Sequence, residues 1–273
     1  MDEARSRAMS LAPPPVARRR VSTGGAIALG FWALVFAGLV FYLVSSFNPS
    51  LIQRYGFAYL SGLGTTVTLV LTAFVVGAVV SLPVAIGRRS KNAVARGASF
   101  VFVYFFRGTP LIAQIFLVYY GFGQFRPQFE AVGLWWFFRE AWYCAVFSLA
   151  LNTAAYQAEI LRGAIESVPR GQWEGARSLG LSRPVIFWKV ILPQAMIVAL
   201  RPYANEIILM IKASAIVAII TVFDLMGETR RAYSRSFDFQ TYIYAALFYL
   251  AIVEVLRNLT ALAERRLIRH LKR

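Results

Sequence analysis

Glu174 lies in a polar, basic island between two long apolar runs: Gly171-Gln-Trp-Glu-Gly-Ala-Arg-Ser-Leu-Gly180-Leu181, continuing to Val190-Ile-Leu-Pro193. Trp173, Ala176 and Leu179/Gly180 recur at helical spacing, while Gln172, Glu174, Arg177 and Ser178 fall on the opposite face. Ser182-Arg183-Pro184 reads as a cap followed by a proline in the first turn of a second helix. A short two-faced helix across the end of a membrane helix is a handle that a partner protein can grip. The plainer reading of the same periodicity is an ordinary amphipathic cytoplasmic loop.

A second set of polar residues interrupts the apolar runs themselves. Phe106-Arg107-Gly-Thr-Pro110 breaks one run, and Pro110 should kink it because it cannot donate a helical hydrogen bond. Arg107 is costly in lipid and should face the bundle or snorkel to the interface. Asn152, Tyr156 and Glu159 fall on one helical stripe, and Glu159 can pair with Arg162 three residues on. Asn205, Glu206 and Lys212 interrupt another run. Ionisable groups inside a span mark a solute path by default; a structural pair between helices is the alternative for Glu206 and Lys212. If a side-chain site for solute exists, the candidates are Asn205, Glu206 and Ser214, with Asn152 and Glu159 opposite and Arg107 at the break. Carboxylates there would suit a cationic or ammonium group.

Other chemistries lack their residues. A phosphate-binding loop needs Gly-Lys-Ser/Thr, and none of Lys91, Lys189, Lys212 and Lys272 follows a glycine. By this route the chain does not hydrolyse ATP. No Gly-x-Ser-x-Gly, His-Glu-x-x-His or Cys-x-x-Cys occurs. The single cysteine, Cys144, sits in an apolar run and reads as core packing. The single histidine, His270, offers no metal site. No cofactor is expected.

The elements that must position these residues are membrane helices. The chain is 58% hydrophobic and 15% charged, against about 25% charged in soluble domains, and several apolar stretches reach the ~20 residues that a spanning helix needs. The net charge of +16 does not point to nucleic acid. Basic residues cluster between the apolar runs, at Arg18–Arg20, Arg88–Arg96, Arg162–Lys189 and Arg265–Arg273, which is the pattern of cytoplasmic loops. The chain therefore reads as an all-α membrane protein of about six transmembrane helices with both termini cytoplasmic.

Residues 1–25 read as a disordered basic tail, and 26–46 as an extra N-terminal transmembrane helix; a cleaved signal peptide is the alternative for this run. Asn48 to Tyr55 and Gly121 to Trp136 read as outside loops, and Thr221 to Gln240 as a polar outside segment of mixed charge. In the run after Leu60, Gly62, Gly64, Thr65, Thr66 and Thr68 should let helices approach closely. Residues 58–262 form the main membrane domain, with a cytoplasmic loop over 163–190, and 263–273 a basic cytoplasmic tail.

The island is similar to the Glu-Ala-Ala loop of the permease subunits of bacterial ABC importers: Glu-Ala-Ala, three residues, Gly, nine residues, Ile, one residue, Leu-Pro. Here it reads Glu174-Gly175-Ala176, Gly180, Val190, Leu192-Pro193. Gly175 departs from the usual alanine and should loosen the helix by roughly 0.5–1 kcal/mol; Val190 replaces isoleucine. Phe-Arg107-Gly-Thr-Pro-Leu, Ala-Glu159-Ile-Leu-Arg-Gly and Asn205-Glu206-Ile-Ile-Leu-Met resemble permeases for polar amino acids, the last string those of the histidine, basic amino-acid and opine subgroup. Lys212-Ala213-Ser214 departs from the Lys-Asp-Thr/Ser-Ser common there.

The resemblance covers about residues 58–271. It implies a five-helix permease core plus the N-terminal helix. Gln172, Trp173, Glu174, Gly175, Ala176, Arg177, Leu179, Gly180 and Leu181 would form a coupling helix seated in a groove of an ATPase dimer, which binds the ATP. The other implied partners are a second, related but different permease chain and a periplasmic solute-binding protein, in the inner membrane. A self-sufficient secondary carrier or channel is the competing reading, although no internal repeat is visible, and a membrane-embedded enzyme would need a nucleophile and base that the chain does not present.

Overall fold

A computed structural model describes residues 22–45 and 47–268, with side chains to 266. The expected N-terminal tail, up to residue 21, and residues 269–273 lie outside the described residues. The chain divides into two units at Asn48.

The first unit holds α1, Thr23–Ser45. Its 23 residues span about 35 Å at 1.5 Å per residue, enough for a hydrocarbon core of ~30 Å. It is apolar on every side, the pattern of a helix whose solvent is lipid.

The second unit begins with α2, Pro49–Arg88, a helix of 40 residues. The expected loop at 48–55 is instead its first turns, and the unit starts at 49 rather than 58. Proline is well suited to a first helical position, where its missing N–H is an orphan in any case, so Pro49 starts a helix here. Then come α3, Ala93–Gly108, capped by Asn92, whose side chain accepts from the Val94 and Ala95 amides, and α4, Leu111–Phe116. Between α3 and α4 the chain bends by 106° at Thr109-Pro110, where the proline cannot continue the hydrogen-bonded ladder of α3. A π-helical stretch (117–121) and a 3₁₀ turn (122–125) lead into α5, Arg126–Ala131, followed by α6, Trp135–Phe138. The expected loop at 121–136 is thus mostly helical. Its rings interlock, with Phe122, Phe129 and Phe138 4.4–5.9 Å apart between centroids.

The central helix is α7, Ala141–Glu166. The island supplies α8, Arg170–Ser178, and α9, Arg183–Val185; a π-helical stretch over 186–191 feeds α10, Leu192–Ser214, which tightens into a 3₁₀ turn over 215–220. The expected polar segment 221–240 contains α11, Leu225–Ser236, bounded by two left-handed residues, Thr221 (φ 66°) and Phe237 (φ 53°). The last helix, α12, runs Gln240–Ile268, so the expected tail from 263 begins as helix.

Among the described residues, four helical segments are long and apolar enough to cross a membrane on their own, and the bent α3–α5 segment makes a fifth. The sixth expected span is α7. It has the length, but Asn152, Thr153, Gln157 and Glu159 lower its hydropathy. It is also the helix with the most buried face, with Ala145, Ala150, Ala154, Ala155 and Ala158 enclosed. No strand occurs among the described residues.

Three packed clusters follow one another along α2. Tyr55 and Tyr59 pack with Leu225 and Ala232 of α11; Leu69, Val70 and Ala73 pack with Leu149, Met210 and Val217; Ala85 packs with Leu161, Ile165, Ala176 and Ile186. Close approach depends on small residues. A Cβ on Gly77 would overlap the Thr153 methyl and sit 3.0 Å from the Ala150 carbonyl, and one on Gly62 would sit 2.9 Å from the Asp224 carbonyl. Among the residues expected to serve this purpose, Gly62 and buried Thr66 do so. Nothing lies within 4 Å of a Cβ on Gly64, and the Thr65 and Thr68 hydroxyls bond back to their own helix.

Candidate functional site

The island folds into a helix closed by a glycine. α8 starts after Pro169 and ends in a left-handed Gly180, φ 72°. The Leu181 amide donates to the Ala176 carbonyl (3.3 Å) and the Gly180 amide to the Arg177 carbonyl (2.9 Å), the paired bonds of a Schellman stop. Ser182 is the next cap position, but its side chain makes no capping bond; its carbonyl accepts from the Ile186 amide at 2.9 Å instead.

Ala176 is buried and Trp173 half-buried against Leu161, Ile165 and Ile186, which fixes α8 to the end of the bundle. Leu179, expected on the same face, is 78% exposed, because the chain leaves the helical period at the stop. Gln172, Glu174, Gly175, Arg177, Gly180 and Leu181 are also exposed; Gln172 accepts from Gln194 at 3.2 Å. The outcome is a rigidly anchored helix presenting polar side chains around two exposed leucines, Leu179 and Leu181. A Cβ on Gly175 would meet nothing within 4 Å, so packing does not require the missing methyl group to be absent.

The polar residues inside the bundle form two groups. At the bend, the Gln114 amide donates to the Phe106 carbonyl (2.9 Å) and the Thr109 hydroxyl (2.8 Å), and Asn152 donates to the Phe106 carbonyl and to Gln114 Oε1, both at 3.0 Å. These bonds satisfy the backbone that Pro110 frees. Arg107 is exposed beside this knot and lies over the Tyr156 ring, 5.1 Å from its centroid. It is close enough to Glu206 for their charges to interact. Glu206 itself is buried and accepts from the Thr153 hydroxyl at 2.9 Å, while Asn205 beside it is exposed. Arg107, Asn152 and Glu206 thus border one region, with Asn205 the residue before Glu206 on α10.

Glu159 belongs to a separate group nearer α8. It is held by Arg88 at 2.9 Å and by Arg162 at 2.8 Å, and Arg162 also reaches Glu166. Ser214 is fully buried and donates to the Ile211 carbonyl at 2.8 Å, away from both groups. Sequence reasoning missed Gln114, Thr153 and Gln157. The signal was there for two of them: Thr153 and Gln157 are four apart on an otherwise apolar helix, and the Gln157 amide donates to Thr153 at 3.3 Å.

This geometry defines a class: an all-helical membrane protein with a polar helix at its centre, a bent segment packed on it and an exposed helix anchored across one end. Residues 77–269 match the family described as binding-protein-dependent transport system inner membrane component. The nopaline transport system permease of Agrobacterium fabrum is 43% identical over 206 residues, 75% of this chain and 86% of the relative. The histidine/lysine/arginine/ornithine transport system permease of Salmonella typhimurium is 37% identical over 84% of this chain and 97% of its own. A crystal structure of an amino acid ABC transporter with histidines superposes with TM-score 0.71 at 33% identity, covering 79% of this chain and 96% of that one. An inward-facing methionine ABC transporter shares the fold, with TM-score 0.65 at 19% identity over 78% of this chain and 98% of that one. The chain belongs to the binding-protein-dependent transport system inner membrane component family and is a permease subunit of an ABC importer. As such it works with an ATPase subunit and a solute-binding protein.

Proposed function

We propose that this permease imports polar amino acids of the basic, histidine or opine kind across the inner membrane, with α8 as the helix through which ATP hydrolysis elsewhere drives the change between inward-open and outward-open. The observation that carries the reading is α8 itself: buried Ala176 and Trp173 tie it to α7 and α10, and its other face is left exposed. A push on Glu174, Arg177 or Leu179 would therefore move the bundle rather than bend a loop. The relatives named above transport nopaline and cationic amino acids, which supports the solute class.

On this reading Gln172, Glu174, Arg177, Leu179 and Leu181 contact the ATPase dimer, Trp173 and Ala176 transmit the motion, and Gly175 and Gly180 set the shape of the helix. The chain has no ATPase of its own. Arg107, Asn152, Asn205 and Glu206 line the solute path, with Glu206 receiving a cationic group; Glu159 and Ser214, assigned to the path by sequence, act one step away from it. Residues 26–46 form an extra span, the permease core occupies 49–262, and both tails are cytoplasmic. The second permease is a related but different chain.

The test is uptake and ATP hydrolysis by the complete transporter in liposomes. Glu174→Ala and Gly180→Asp should leave the permease inserted and the ATPase active while uptake falls at least tenfold. Normal uptake in both variants would remove α8 from the coupling role.

A further inference from the structure

A groove of about 1240 Å³ runs between α2, α10 and α12, closed at its floor by Ser81 and Ala85 of α2 and Gln157 of α7. Its walls are aliphatic: Leu82 and Ile86, Met196 and Leu200, Leu256 and Leu259. It opens on the side of α10 away from Asn205, since the lining Tyr203 and Ile207 lie across the helix from that residue. The groove therefore opens away from the polar region assigned to solute, with Gln157 of its floor, which donates to Thr153, between the two.

Its two ends differ. Along α2 it extends from Phe74 to Arg89, fifteen residues, or ~22 Å at helical rise. That is half of the ~40–45 Å thickness of a bilayer with its headgroups, the depth of one leaflet. The Phe74 end carries no charge; its polar side chains, Gln157 and Tyr203, donate to the Phe74 and Gln157 carbonyls. The other end carries Arg89 and Ser90 with Trp188, beside the cluster that anchors α8. Lys91 follows on the same turn, Arg96 reaches the Ser90 carbonyl from α3, and no acidic side chain lines the groove. Arg88 next door is taken by Glu159, whereas Arg89 is exposed and makes no ion pair among the described residues.

We infer that this groove is a binding site for one anionic glycerophospholipid of the inner leaflet, its acyl chains against Leu82, Ile86 and Leu259 and its phosphate at Arg89 and Ser90. The placement of the headgroup on the inner side rests on the orientation proposed above; the preference for an anionic lipid does not. Basic pockets between spans bind anionic headgroups for the reason given by the charge distribution here.

The test is native mass spectrometry of the intact transporter released from bilayers of equal phosphatidylglycerol and phosphatidylcholine. The wild type should retain one phosphatidylglycerol per copy of this chain in preference to phosphatidylcholine. Arg89→Gln should reduce that retention about fivefold, the factor that one arginine near an anionic surface supplies, with phosphatidylcholine unchanged. Lys91→Gln, on the turn but outside the groove, should behave as wild type. Leu82→Trp should fill the groove and lower retention of both lipids, an arm that stands if the arginine variant fails to assemble. Equal retention of the two lipids, indifference to Arg89→Gln, or a cross-link from Leu82→Cys to a helix of the partner permease would overturn the assignment.

Discussion

Glu159 and Glu206 are carboxylates in apolar helices, and their surroundings ask different things of them. Glu159 has two arginines on it, Arg88 and Arg162, at 2.9 and 2.8 Å, with 14% of its side chain exposed. Removing its charge leaves Arg88 without its carboxylate and Arg162 with Glu166 alone, so Glu159→Gln should lower stability by about 2 kcal/mol. Uptake by the molecules that remain folded should keep its KM. Glu206 has a neutral partner, Thr153, and the charge of Arg107 nearby. Glu206→Gln keeps the hydrogen bond and should melt as wild type, while KM for a cationic solute rises about tenfold. Detergent melting curves and concentration-dependent uptake separate the two. The reverse pattern, with Glu159→Gln raising KM at unchanged stability, would move the solute to Glu159. The sequence placed Glu159 beside Arg162 because they are three residues apart. It could not place Arg88, 71 residues away, on the same carboxylate, and without that partner Glu159 reads as a solute ligand.

Among the elements, those defined by local spacing were the most legible. The island, its closing glycine and the bend at Pro110 depend on residues within a turn or two of each other. α11 was not legible, because only Leu225, Gly227, Thr229 and Ala232 are buried along its twelve residues, too few to stand out against its charges. What fixes α11 is its cap. The Asp224 side chain accepts from the Gly227 amide at 2.8 Å and from the Tyr249 hydroxyl at 3.4 Å, and the Thr66 hydroxyl receives the Leu225 amide at 3.0 Å. Asp224 lies between the spans ending at Ile220 and beginning at Gln240. Burial pushes its carboxyl up from 3.8 to about 6, against the lowering effect of the amides that bond to it. The folded protein thus holds the proton more tightly than the unfolded chain does. The stability that comes with this is complete below about pH 4 and is lost as the pH rises through about 6. Asp224→Asn, which stays neutral, should flatten that part of the curve. Melting temperatures of both proteins between pH 4 and 7 check this; parallel curves would mean that Asp224 is solvated in the folded state.

At the scale of the whole molecule the open quantity is direction. The turns and loops on the α8 side carry Arg88, Arg89, Lys91, Arg96, Arg162, Arg170, Arg177, Arg183 and Lys189; the opposite side carries Arg54, Arg126, Arg139, Arg230, Arg231 and Arg235. Cationic residues near span ends set orientation and acidic ones contribute little, so the excess supports the proposed orientation, with α8 on the cytoplasmic side. The outer arginines are also partly occupied: Arg231 lies 5.5 Å over the Phe223 ring and 3.4 Å from Glu228, and Arg230 donates to the Ala218 carbonyl. Thiol labelling measures the orientation directly, because the single native cysteine is fully buried and donates to the Phe138 carbonyl, giving a quiet background. A membrane-impermeant maleimide should modify Leu179→Cys in inverted vesicles and not in intact spheroplasts, and Ser234→Cys in spheroplasts and not in sealed inverted vesicles. Both positions are exposed in this chain, so with the permease expressed without its ATPase subunit, which would cover Leu179, a silent site reports sidedness rather than burial. If Leu179→Cys reacts from outside, no ATPase in the cytoplasm can reach α8, and the charge count along the loops has been outweighed by something in the assembled transporter.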